Sequence, residues 1–132
     1  MYLLDTDTVI YILKGHPVAI QHLVEHPDRP MKISVVTLME LYYGAFKSRK
    51  ATSNLAKVAT LESSHEILPV GPEAAKIFGT EKTRLEHRGT RLDDFDLILG
   101  CSALADNLTL VTNNAKHFRR IEGLRIENWL TQ

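Results

Sequence analysis

Four short apolar runs, three of them carrying β-branched residues, punctuate this chain, and stretches of helical spacing separate them. They are YLL from Tyr2, MKISVV from Met31, EILPV from Glu66 and LTLVT from Leu108; LRIENW, from Leu124, closes the pattern as a last short strand. A parallel strand can reach its neighbour only through a crossover, usually a helix, so this alternation predicts an α/β fold. The expected architecture is a central, mostly parallel sheet of four to five short strands with helices on both faces. A chain of 132 residues, 44% hydrophobic and 24% charged, suits one domain spanning residues 1–132. There are no repeats or low-complexity runs.

Local signals place the helices. Thr6 or Asp7 caps a helix to about Lys14, with Gly15 just past its end. Pro17 opens a second, which the segment HPDRP ends. Thr37 and Glu40 have the spacing of a capping box, opening a helix with Leu38, Leu41, Tyr42, Ala45 and Phe46 on one stripe. Further helical patterns run from Ala51 to Ser63 and from about Glu73 to His87, the latter after Pro72 and ending at Gly89. Asp93 caps one more, containing Phe95, Leu97, Ile98, Cys101 and Leu104, and NNAKHF forms a turn or short helix.

In open parallel sheets, functional sites form beyond the carboxyl ends of the strands. Four polar groups fall at such connections. Asp5 ends the first strand, and Glu40 lies in the first helical turn after the second. Asp93, Asp94 and Asp96 open the helix before LTLVT, and Thr112, Asn113 and Asn114 follow that strand directly. Each has a plain structural reading as well. Glu40 with Thr37, and Asp96 with Asp93, fit capping boxes, acidic first turns suit the helix dipole, and Asn113-Asn114 suits a turn. Asp5 fits such a reading least, since Thr6 or Asp7 is the better-placed cap.

If these groups converge, their mutual repulsion demands a cation, and hard oxygen ligands select Mg²⁺ or Mn²⁺. The six histidines do not form a zinc pattern: His22 and His26 are one turn apart, with no suitable third ligand near in sequence, and are expected to be two surface histidines. Net charge is zero, which argues against a general nucleic-acid coat but leaves room for a local basic rim. Three basic clusters occur: Lys47-Arg49-Lys50, Arg84-Arg88-Arg91 and Lys116-Arg119-Arg120. The one cysteine, the lack of a signal peptide and the lack of a membrane-length apolar run lead us to expect a cytoplasmic protein with no membrane partner.

Two enzyme classes compete. Asp5-Thr6-Asp7-Thr8-Val9 fits the DxDx(T/V) motif of haloacid dehalogenase-type phosphatases, in which Asp5 is the nucleophile. That class also needs an acidic pair after a further strand, and LEHRGTRL, before Asp93-Asp94, is charged and helical. The whole pattern is similar to the PIN-domain ribonucleases instead. Asp5 after an apolar strand, Glu40 in SVVTLMELYYG, Asp96 in RLDDFDLILGCSAL and the run LVTNNAKHF followed by GLRIENW carry the resemblance, from Tyr2 to Trp129. More narrowly they resemble the VapC toxins of VapBC toxin-antitoxin modules.

The resemblance implies a single PIN-like domain that cuts single-stranded or loop RNA with Mg²⁺ or Mn²⁺, leaving 5′-phosphate and 3′-hydroxyl ends. It implies Asp5, Asp96 and Glu40 at the metal, Asn114 as the fourth catalytic residue, and Thr6, Thr112 and Asp93 as supports. Lys47, Arg84 and Lys116 are the expected RNA contacts at the rim. A VapB-type antitoxin and a second copy of the chain are the implied partners. The chain departs from the family pattern in carrying Asp7 where Asn is usual, LILG where a sequence like LIAA is usual, and Asn114 where Asp is common. A non-catalytic metal-binding or interaction domain is the remaining alternative, with Met39, Tyr42, Tyr43 and Phe46 as a partner face.

Overall fold

The structure is a computed structural model that describes residues 1–28 and 30–131. Arg29, within the HPDRP segment, lies outside the described residues. The apolar runs become β1 (Tyr2–Leu4), β2 (Met31–Ser34), β3 (Glu66–Leu68), β4 (Thr109–Val111) and β5 (Ile126–Glu127). They form one sheet in the order β3-β2-β1-β4-β5, with every pairing parallel. The strand order reverses at β1, which pairs with β2 on one side and β4 on the other. The carboxyl ends of β1, β2 and β4 therefore meet at one edge, where an open sheet leaves a crevice.

Side chains of neighbouring strand positions point to opposite faces, and the cores follow that alternation. Tyr2, Leu4, Ile33 and Val111 face one apolar cluster with Val9, Leu38, Leu41, Val58 and Trp129. Leu3, Leu68 and Leu110 face the other, with Leu85, Leu97, Cys101, Phe118 and Ile121. The first cluster is covered by α1 (Thr6–Leu13), α3 (Val35–Lys47) and α4 (Ala51–Ser64), and the second by α5 (Pro72–His87), α6 (Asp94–Ala105) and α7 (Ala115–Phe118). The remaining helix, α2 (Pro17–Glu25), starts with proline at its first turn, as expected. Helices on both faces of a parallel sheet thus match the sequence reading.

Three local expectations need correction. Asp5 itself caps α1: its backbone is extended and its Oδ1 accepts the Thr8 N–H at 2.8 Å, because the helix begins at Thr6 with no residue between. Second, β2 stops at Ser34 despite the β-branched Val35-Val36. The Ser34 hydroxyl caps α3 by accepting the Val36 N–H, which places Thr37 inside the helix and Glu40 in its second turn. The Thr37–Glu40 capping box therefore does not form. Third, His22 is not a plain surface histidine, since its ring stacks 5.8 Å from that of Trp129.

The LILG departure has a packing reason. A Cβ on Gly100 would stand 2.3 Å from Cδ1 of Ile121, a side chain sealed in the second core. Gly100→Val is expected to lower stability by about 1–3 kcal/mol through overpacking, read as a drop in the urea midpoint with an unchanged slope.

Candidate active site

Asp5 stands at the end of β1, only 4% exposed. Its backbone N–H donates to Val111 of β4 at 3.0 Å, locking it to the neighbouring strand. Its side-chain oxygens are held separately. Oδ1 takes the Thr8 N–H, and Oδ2 accepts the hydroxyl of Thr112 at 2.5 Å. Thr112 in turn accepts the backbone N–H of Asn114 at 2.9 Å. A line of hydrogen bonds thus runs from the loop after β4 to the carboxylate after β1. Two of the four lone-pair directions of that carboxylate are used, which leaves two open. Burial pushes the Asp5 carboxyl above the ordinary carboxylate value, and the bonds from Thr112 and Thr8 counter that only in part.

Glu40 is reached from α1. The Thr6 hydroxyl donates to Glu40 Oε1 at 2.7 Å and lies 3.1 Å from the Thr37 hydroxyl. A hydroxyl has one proton, so Thr37 must donate to Thr6. The two threonines orient Glu40 toward the edge, and its Oε2 has no hydrogen-bond partner among the described residues. Thr37, 0% exposed, is a site residue that sequence reasoning took for a helix cap. The signal available was a threonine one turn before Glu40 on the same helix.

From the other face of the sheet comes α6. Asp93 caps it by accepting the Phe95 N–H at 3.1 Å. Asp96 does not reach back to complete a capping box, and it accepts no hydrogen bond among the described residues. It is partly buried and its carboxyl is pushed up to about 6. Burial is the main cause, followed by the like charges of Asp93, Asp5, Glu40 and Asp7. Carboxylates from three separate connections therefore feel one another at one edge. Asp7 belongs to this group, although the sequence marks it as a candidate helix cap, a member of the DxDx(T/V) motif and a departure from Asn, and not as a residue of the metal site.

The remaining expected residues divide. Asn114 precedes α7 as its N-cap, on the same edge, with its side-chain amide 2.8 Å from His117 Nδ1. Lys116, two residues further on, is exposed and free of partners among the described residues. Lys47 lies at the far end of α3, its Nζ 4.8 Å over the Tyr43 ring, not at the carboxylates. Arg84 is not a free rim residue: its Nε donates to Glu81 at 2.6 Å and its Nη2 to the Arg120 carbonyl. Lys14 and Lys57, which the ribonuclease reading of the sequence leaves out of the site, line an apolar groove of about 260 Å³ that runs from Glu40 between α1, α3 and α4.

The arrangement fits the PIN domain, whose family pattern matches residues 2–124. The chain belongs to the VapC family of PIN domains. The ribonuclease VapC2 of Rickettsia felis is 36% identical over 98% of both chains. The tRNA(fMet)-specific endonuclease VapC of Salmonella typhimurium is 38% identical over 97% of both. Among solved structures, VapBC2 of Rickettsia felis bound to a promoter DNA fragment superposes with a TM-score of 0.89 at 35% identity, covering 97% of this chain and 98% of that one. Membership of the VapC family removes the dehalogenase-type reading. The topology agrees, since Asp93-Asp94 precede β4 on a helix instead of following a strand.

The VapC site can be tested for a cation by its donors. Asp5, Asp96 and Glu40 offer only hard oxygens, two of these groups have raised pKa values, and open lone pairs remain. Among the described residues no three such side chains already stand close enough to form a finished ion cage. A small hard cation that keeps several of its waters suits such a loose set.

Thr112 ties two parts of this VapC edge together, donating to Asp5 and accepting from the Asn114 N–H. Thr112→Val leaves one oxygen of a buried carboxylate and the N–H of Asn114 unpaired. It is expected to cost about 1–3 kcal/mol in chemical denaturation, and to move the Asp5 pKa further upward, which carboxylate NMR titration reads directly.

Proposed function

We propose that this chain is a Mg²⁺- or Mn²⁺-dependent endoribonuclease and the toxin half of a VapBC-type pair. The observation that carries this reading is the position of Asp96. It is partly buried, without a hydrogen-bond donor, among four other carboxylates, an arrangement a helix cap does not need and a cation would relieve. Asp5 and Asp96 are the direct ligands in this reading, and Glu40 acts through a water. Bound there, the metal supplies Lewis acidity to the scissile phosphate and makes water more acidic.

The chain's own groups do the rest. Thr112 and the Thr8 N–H hold Asp5 in one orientation. Thr6 holds one Glu40 oxygen, leaving the other to position the attacking water and take its proton. Water adds to phosphorus as the bond to the 3′-oxygen breaks, giving a 5′-phosphate and a 3′-hydroxyl. Asn114 orients a water or a phosphate oxygen, and Lys116 lies near enough in the chain to meet a flanking phosphate.

The relatives crystallised as VapBC complexes make a VapB-type antitoxin the expected partner. Met39, Tyr43 and Phe46, all exposed on α3, give an apolar face suited to a protein partner, an antitoxin or a second copy. Among the described residues no helix is long and apolar enough to cross a membrane, and the expected setting is the cytoplasm. The deciding experiment incubates the purified protein with a labelled RNA in Mg²⁺, in Mn²⁺ and in chelator. Cleavage restricted to the metal samples supports the reading. Absence of cleavage in every sample, with RNA and metal both bound, favours a non-catalytic interaction domain.

A further inference from the structure

Two of the basic clusters lie about a quarter of the chain apart in sequence and fold into one depression. Its polar walls are Arg84, Arg88, Thr90, Arg119, Arg120 and Glu122, with Leu85 beside them, and its volume is about 400 Å³. Two of the four arginines are fixed in place. Arg84 is clamped by Glu81, 7% exposed, and donates to the Arg120 carbonyl. Arg120 Nη1 donates to the Arg91 carbonyl at 3.0 Å. The other oxygen of Glu81 accepts the Glu122 N–H at 3.3 Å, so α5 and the loop after α7 are tied into one wall. Arg88 and Arg119 are exposed and have no partner among the described residues.

Four guanidinium groups thus face two carboxylates, Glu81 and Glu122, in a chain whose net charge is zero. Holding like charges together costs energy that a bound anion offsets, and a guanidinium fork matches phosphate oxygens in pairs. Position favours a polyanion over a single small anion. Arg88 and Thr90 belong to the connection that ends at the Asp93 cap and, within α6, Asp96. Arg119 and Arg120 follow α7, which follows Thr112 and Asn114. The two segments that frame the carboxylate edge therefore both continue into this depression.

We infer that the depression grips the sugar–phosphate backbone of the RNA substrate several nucleotides away from the cleaved bond. The inference rests on the ribonuclease reading, and its test separates the two. Arg88→Ala with Arg119→Ala removes the unpartnered guanidiniums and leaves the clamp of Glu81 intact. Binding is measured by fluorescence anisotropy in an Asp5→Asn background, with a labelled single-stranded RNA of about 20 nucleotides, across a salt series. The double variant should bind about tenfold more weakly, with a salt slope shallower by roughly 0.7 for each phosphate that is no longer neutralised. In the Asp5 protein, KM for that RNA should rise about tenfold with kcat unchanged, while an oligonucleotide of about four residues, too short to span both places, should be cut equally well.

An unchanged dissociation constant and salt slope would overturn the inference, whether or not the protein cuts RNA. So would a double variant that binds RNA normally but changes its oligomeric state in sedimentation, which would assign the patch to a second copy. Loss of RNA binding in the double variant, with no cleavage by the parent protein under any metal, would keep the grip and overturn the ribonuclease reading alone. Charge reversal at both positions, Arg88→Glu with Arg119→Glu, must weaken binding further, and failure to do so counts against the inference.

Discussion

Asp5→Asn is expected to cut RNA more than about 100-fold more slowly than the parent protein while keeping its fold, the loss being larger than that seen when a mere support of a metal ligand is removed. The two halves of that result have different causes. The amide oxygen of asparagine can still accept the Thr8 N–H, and asparagine is among the best N-cap residues, so α1 stays in place. The amide nitrogen facing Thr112 has no charge and no lone pair to offer a cation. The Thr112 hydroxyl can turn to accept from it, so the line of bonds to Asn114 need not break. Circular dichroism should therefore be unchanged. Asp96→Asn and Glu40→Gln should lose activity comparably, since neither side chain carries the helix it sits on. Full activity in Asp5→Asn and Asp96→Asn preparations free of contaminating nuclease would remove both residues from the chemistry.

The second large effect is thermal. In chelator, Asp96 is held ionised beside other carboxylates, and its folded pKa of about 6 lies above the ordinary value of 3.8. For a group raised in this way, the favourable contribution is complete below the unfolded pKa and is lost as pH rises through the folded one. The metal-free protein should therefore lose stability between about pH 4 and pH 6 on this account, by on the order of 1–2 kcal/mol after solvent screening. Asp96→Asn should flatten that segment of the curve and melt at or above the parent temperature at neutral pH. Metal at about 100 times its dissociation constant should add about 2.7 kcal/mol to the parent protein and little to the variant. For a chain of this size that is a shift of roughly 10 °C. If Asp96 were only a first-turn carboxylate, the variant would be less stable in chelator by about 0.3–1 kcal/mol and would respond to metal as the parent does.

What the sequence makes legible follows from which forces are local. The strands are visible because apolar residues run together in YLL and apolar, β-branched ones in MKISVV and LTLVT, and the helical crossovers between them dictate parallel pairing. The placement of Asp5 and Asn114 just after strands, and of Asp96 in the first turn of the helix before β4, is equally local. Boundaries mislead where two local preferences conflict. Val35 and Val36 favour a strand, but the Ser34 hydroxyl offers a cap and the helix wins. The role of Thr37 stays hidden because its partner, Thr6, is 31 residues away. Arg84 looks like any basic surface residue until Glu81 and the Arg120 carbonyl, which no spacing rule connects to a rim, are seen around it. The union of the two basic clusters is hidden for the same reason.

The sheet also behaves as a wall between two apolar compartments. Leu3, Ile33, Leu110 and Val111 show no exposure, so the amides of β1 and β4 should exchange with solvent only when the whole domain opens, while those of α2 and the C-terminal turn should exchange through smaller, cheaper openings. Asp5 hangs on β1 by one peptide bond and on β4 through its own N–H. The carboxylate edge is thus fastened to the slowest-breathing part of the molecule. A protease or a heat pulse that loosens the periphery should leave this edge assembled until the last cooperative unit gives way.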